Sequence, residues 1–135
     1  MCCDWVMYSG GHEMIRRVLV ADDERDIRDL LRIVLEDEGY EVVTRANGKE
    51  TVDFLLAARE PWIVLLDVMM PYLSGLDVCR RLTRWGPRGK QHRIILMTAS
   101  DLQESACPSV AQTLLRKPFG VREIVELVDS LADAH

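Results

Sequence analysis

A chain of 135 residues, 48% of them hydrophobic, is sized for one well-packed domain and leaves no room for a second of ordinary size. Its net charge of −5 argues against non-specific binding to nucleic acid or anionic membrane. Apolar runs such as 63–66 and 94–97 are strand-sized, too short to cross a bilayer, and residues 1–13 lack the basic start and apolar middle of a secretory signal, so a cytoplasmic location is expected.

Four cysteines (Cys2, Cys3, Cys79, Cys107) form no CxxC pair and no framework spacing, which favours reduced thiols, with Cys79 in the core. His12, His92 and His135 are too scattered for zinc. Regular structure is expected from about Arg16. Residues 1–14 read as a flexible extension, with the natural start at Met1 or Met14, and 15–135 as a single domain.

In chain order, Val18-Leu19-Val20-Ala21 is the first strand. Ile27, Leu30, Leu31, Val34 and Leu35 then mark one face of a helix ending near Gly39. Glu41-Val42-Val43-Thr44 is the second strand. Asn47 with Glu50 caps a helix that buries Val52, Leu55 and Leu56, and Pro61 closes this unit. Trp62-Ile63-Val64-Leu65-Leu66 has no polar alternation, as expected of a central parallel strand, and ends at Asp67. Ser74 with Asp77 caps a third helix carrying Leu76, Cys79 and Leu82, which Gly86-Pro87 ends. The fourth strand, 94–97, ends at Thr98. Ser100 with Gln103 starts a short fourth helix that Pro108 stops. Thr113-Leu114-Leu115-Arg116 is the fifth strand, and Val121, Ile124, Leu127, Val128 and Leu131 mark the last helix. Five βα units in sequence predict an α/β, flavodoxin-like, doubly wound sheet of five parallel strands with helices on both faces.

Ligands of such sheets bind beyond the carboxyl ends of the strands, where this sequence places Asp22 and Asp23, Asp67, Thr98 and Lys117. Three converging carboxylates make physical sense around a hard divalent cation such as Mg²⁺, with Mn²⁺ also compatible. Lys117 and the Thr98 hydroxyl are then suited to hold phosphoryl oxygens, and a carboxylate can itself be the nucleophile that forms an acyl phosphate. Asp67 fits that role, since it ends a central strand without an adjacent acid.

The segments Ala21-Asp22-Asp23-Glu24, Leu66-Asp67-Val68-Met69-Met70-Pro71, Ser74-Gly75-Leu76-Asp77, Met97-Thr98-Ala99 and Lys117-Pro118-Phe119 together resemble the response-regulator receiver family of two-component signalling, over about 15–131. The resemblance implies strand order 2-1-3-4-5 and phosphorylation of Asp67 by a sensor histidine kinase, a phosphotransfer protein or a small phosphodonor. It further implies Mg²⁺ held by Asp22, Asp23, Asp67 and the Met69 backbone carbonyl, sensing of the phosphoryl group by Thr98, Ala99 and Lys117, and a cis Lys117–Pro118 bond. Met69 and Met70 side chains are expected to pack rather than to bind metal. The only chemistry implied is the domain's own phosphoryl transfer and dephosphorylation, and the output is altered binding to a downstream protein or a separate output domain. Homodimerisation is compatible with all of this.

Three features depart from the family pattern. Leu114 stands where an aromatic switch residue is usual. The stretch from Thr98 to Lys117 is short and interrupted by Pro108. Trp62, His92 and Arg93 replace residues usual at the far ends of the third and fourth strands, and are expected to serve packing. Arg80, Arg81, Arg84, Arg88, Lys90 and Arg93, with Trp85 among them, form a basic stretch read as a solvated face rather than a nucleic-acid surface.

Two other functions share parts of this pattern. A phosphorylation-independent interaction module is suggested by Leu114 and the short fourth helix. An aspartyl-phosphate hydrolase is disfavoured because Met69 stands where its general acid would be.

Overall fold

The structure, a computed structural model, describes residues 14–99 and 111–133. The element order is β1 (Arg17–Ala21), α1 (Arg25–Asp37), β2 (Glu41–Arg45), α2 (Gly48–Ala57), β3 (Ile63–Asp67), α3 (Gly75–Arg84), α4 (Pro87–Lys90), β4 (Arg93–Thr98), β5 (Ala111–Arg116) and α5 (Val121–Ala132). The five strands are all parallel and lie in the order β2-β1-β3-β4-β5.

Both faces of the sheet are covered, and for that reason the inner strands are apolar between their ends. On one side Val18, Val20, Ile63, Leu65, Ile95 and Met97 pack against Leu31 and Leu35 of α1 and Ile124 and Val128 of α5. On the other, Leu19, Val64, Leu66, Ile94 and Leu96 meet Val52 and Leu55 of α2 and Val78, Cys79 and Leu82 of α3. Each such side chain removed from water contributes about 1.5–3 kcal/mol before its entropy cost. The core extends to Ile15, whose N–H donates to the Ala132 carbonyl at 3.0 Å, with Met14 packed against it.

Local signals fix the starts of α2 and α3. The Asn47 side chain accepts the Glu50 N–H, and Ser74 with Asp77 forms a complete capping box. Gly39, at φ +99°, turns the chain out of α1 toward β2.

Periodicity misplaced two side chains. Leu30 and Val121, expected on buried helix faces, are exposed: the cluster between the sheet and these helices takes in Leu31, Leu35, Ile124 and Val128 instead. The single turn α4 was not foreseen; Pro87 at its first position supplies a preset φ. The short helix expected from Ser100 to Pro108, like Cys2, Cys3, Cys107, His12, His135 and the extension through residue 13, lies outside the described residues.

The β4–β5 register advances by one residue at Gln112: Ile94 pairs with Ala111, but Ile95 pairs with Thr113. This bulge puts Ala111 and Leu114 on the α2–α3 side and Leu115 on the α1–α5 side.

Candidate functional site

Asp22 follows β1, Asp67 and Thr98 are the last residues of β3 and β4, and Lys117 follows β5. Parallel pairing aligns these ends: Ala21 pairs with Leu66, Asp67 with Met97 and Thr98 with Arg116. The Lys117 N–H donates to the Thr98 carbonyl at 2.8 Å, so two of these residues are tied through backbone, and the Lys117–Pro118 bond is cis.

Asp22, Asp23 and Asp67 each offer a carboxylate oxygen, all within 4.8 Å of one another. Asp22 and Asp67 are buried while Asp23 is exposed. Lys117 Nζ donates to Asp22 Oδ2 at 2.9 Å and stands 3.6 Å from Asp67 Oδ1 and 3.7 Å from Glu24 Oε1. Two backbone donors also reach these acids: Asp22 Oδ1 accepts the Glu24 N–H at 2.9 Å, and Asp67 Oδ1 accepts the Met69 N–H at 3.3 Å.

Burial, followed by the charge of Asp22, pushes the Asp67 carboxyl up to about 6, against the opposing pull of Lys117 and the Met69 N–H. Burial disfavours the Lys117 ammonium, but its hydrogen bond to Asp22 and the charges of Asp22, Asp67 and Glu24 outweigh it, so its pKa is raised. The site is therefore a cluster of mutually repelling carboxylates with one half-buried cation. Its donors are all hard oxygens, and their span compares with the roughly 4.2 Å between opposite ligands of an octahedral Mg²⁺, so the residues fit such an ion.

Of the other residues singled out from sequence, Thr98 is buried at the site edge and Ala99 is exposed beside it. The Met69 side chain, expected to pack, is 71% exposed, because its backbone N–H is bound back to Asp67 and the loop turns the side chain to solvent; Met70 does pack against the α2–α3 side. Leu114 is half-buried on that same side.

Three further residues shape the site. Glu24 faces Lys117. Arg28, one turn into α1, donates to the Asp22 carbonyl at 2.8 Å. Gly75 lets α3 start against the end of β3: a Cβ there would stand 2.5 Å from the Asp67 carbonyl oxygen and 3.0 Å from Val68 Cα. Gly75 has a partial signature in following the capping Ser74; the contacts of Glu24 and Arg28 have none.

A doubly wound parallel sheet whose strand ends gather three carboxylates and a lysine defines an α/β module with a cation-competent acidic cleft. The sequence pattern of the response regulator receiver domain matches residues 18–129. The chain is also similar to the response regulator TrrA from Thermotoga maritima, solved in complex with Mg²⁺-BeF, with 37% identity, a TM-score of 0.73, and coverage of 87% of this chain and 99% of that one. The receiver domain of Francisella response regulator 1452 shares 27% identity over 87% and 96% of the two chains at a TM-score of 0.77. Chemotaxis protein CheY4 from Vibrio cholerae shares 28% over 86% and 98% at 0.74. This chain belongs to the response regulator receiver domain family of two-component systems. No helix among its described residues is long and apolar enough to cross a membrane.

Proposed function

We propose that Asp67 accepts a phosphoryl group from a sensor histidine kinase, a phosphotransfer protein or a small phosphodonor, and that the modified domain changes its affinity for a cytoplasmic protein target or a separate output domain. The observation that carries this reading is the buried Asp67 carboxylate at the end of β3, flanked by Asp22 and Asp23 and faced by Lys117 Nζ at 3.6 Å. That TrrA was captured with Mg²⁺-BeF supports it.

Asp22, Asp23, Asp67 and the Met69 carbonyl would hold Mg²⁺, which when bound neutralises the acids and the phosphoryl oxygens. An Asp67 oxygen forms the new bond to phosphorus as the donor's bond to phosphorus breaks, and the donor departs with that electron pair. Lys117 Nζ, the Thr98 hydroxyl and the Ala99 N–H would bind the phosphoryl oxygens. Water later cleaves the acyl phosphate, so the domain's chemistry is limited to its own modification.

Leu114 favours a second reading, a receiver whose binding ignores phosphorylation, because no aromatic side chain can move into the site from that position. Treatment with acetyl phosphate and Mg²⁺ should add one phosphoryl mass to the wild type and none to Asp67→Asn. An unmodified wild type would end the proposal. Phosphorylation without any change in partner affinity would favour the second reading.

A further inference from the structure

Between Asp77 and Asp101 the sequence carries six of its 17 Lys and Arg and none of its 22 Asp and Glu, so the rest of the chain holds eleven more acids than bases. This charge segregation is displayed on the surface. Arg81, Arg84, Arg88 and Lys90 are exposed along α3 and α4, and no ion pair to another described residue engages any of them. Arg80, by contrast, is paired with Asp77 at 2.8 Å. In their midst Trp85, the C-cap of α3, is 57% exposed.

The opposite face of the sheet carries the complement. A groove of about 590 Å³ between α1 and α5 is lined by Ile33, Val34, Val121 and Val125 together with acids that include Asp37 and Glu38. Ile33 is 64% exposed and Val121 46%, so apolar surface lies open beside negative charge.

We propose that this chain associates with itself head to tail, the Trp85 face of one copy seated in the α1–α5 groove of the next. Unpaired guanidinium groups around an indole are the composition of an interface anchor, and the acidic apolar groove offers both contacts they need. The two surfaces lie on opposite sides of the sheet, so a two-fold dimer cannot satisfy both, and the contact is heterologous and open-ended. A bilayer fits less well, because the apolar side of α3 is occupied in the core through Val78, Cys79 and Leu82. A nucleic-acid duplex would run past the basic segment onto the acidic remainder.

Sedimentation velocity on the full chain provides the test. The wild type should show weight-average mass rising with concentration at low salt and returning to monomer at about 0.5 M salt, where the Debye length falls to a few ångströms. Arg81→Glu with Arg84→Glu removes one surface, and Ile33→Ser with Asp37→Lys removes the other; each protein alone should be monomeric. Their equimolar mixture should recover a dimer and nothing larger, since each partner keeps one intact surface. Circular dichroism verifies folding, and Trp85→Ala replaces the double Arg variant if that one unfolds. A wild type monomeric at low salt up to about 500 µM, whether or not it binds duplex DNA or anionic vesicles, overturns the proposal. So does a mixture that stays monomeric.

Discussion

Lys117 Nζ hydrogen-bonds Asp22 Oδ2 at 2.9 Å and lies 0.7 Å farther, at 3.6 Å, from Asp67 Oδ1. The lysine thus serves two acids at once: it neutralises a fully buried carboxylate by contact and lowers the pKa of its neighbour through its field. Phosphorylation of Asp67 would draw the ammonium toward the new charge and away from Asp22.

Replacing Lys117 with Ala should therefore separate two affinities. Removal of a neighbouring cation strengthens Mg²⁺ binding, whereas beryllofluoride binding weakens about tenfold or more, about 1.4 kcal/mol, because its fluorides lose a charged donor. Amide NMR titrations with Mg²⁺ alone and then with beryllofluoride measure both. Equal weakening of the two would contradict the geometry.

Asp67 carries an opposite-signed pH effect to that of an ordinary paired carboxylate. Its folded pKa, about 6, lies above the unfolded value, so between about 4 and 6 the folded chain binds the extra proton and gains stability as pH falls. At pH 7, without divalent cation, the ionised group costs about 1–3 kcal/mol. Asp67→Asn should then be more stable than the wild type by that order at pH 7, and the gap should close by pH 4. Urea denaturation at the two pH values tests this.

His92 makes the reverse prediction. Its Nδ1 accepts the Trp62 N–H at 3.1 Å and its Nε2 donates to the Leu55 carbonyl at 3.1 Å, an arrangement only the neutral ring can make, and burial lowers its pKa. The stabilisation is complete above the unfolded pKa of about 6.5 and is lost as pH falls below it toward the lower folded pKa. His92→Leu should cost about 1–3 kcal/mol at pH 7.5 by orphaning two buried backbone groups, and should flatten the decline below pH 6.5. Chemical denaturation across that range measures both effects.

Gly75→Ala should destabilise the domain by about 1–3 kcal/mol, because the new methyl meets the Asp67 and Val68 backbone rather than a movable side chain. The displaced strand end should also weaken Mg²⁺ binding. Thermal melting and Mg²⁺ titration of the variant check the two consequences, while Gly120→Ala, where a Cβ meets nothing within 4 Å, serves as the control.

Much of the fold was legible because its signals are local. The capping pairs Asn47–Glu50 and Ser74–Asp77 announce helix starts within four residues, and the unbroken run before Asp67 announces a doubly buried strand. The failures have physical causes too. Leu30 and Val121 obey the helical period, yet which stripe residues are covered depends on how closely α1 and α5 approach each other. His92 looked like a packing substitution, and its role in joining α2 to the entry of β3 needs partners 37 and 30 residues away.

The sequence by itself determined the order of elements and the set of acids, threonine and lysine at the strand ends, because a buried parallel sheet allows polar residues only where the strands emerge. Tertiary structure decided the rest. Only parallel pairing brings Lys117 to Asp22 across 95 residues, and burial together with the charge of Asp22 makes Asp67 a reluctant acid. The one-residue bulge at Gln112 in turn sets which side of the sheet receives Leu114. These depend on distances and desolvation between segments remote in the chain, which no local pattern of residues encodes.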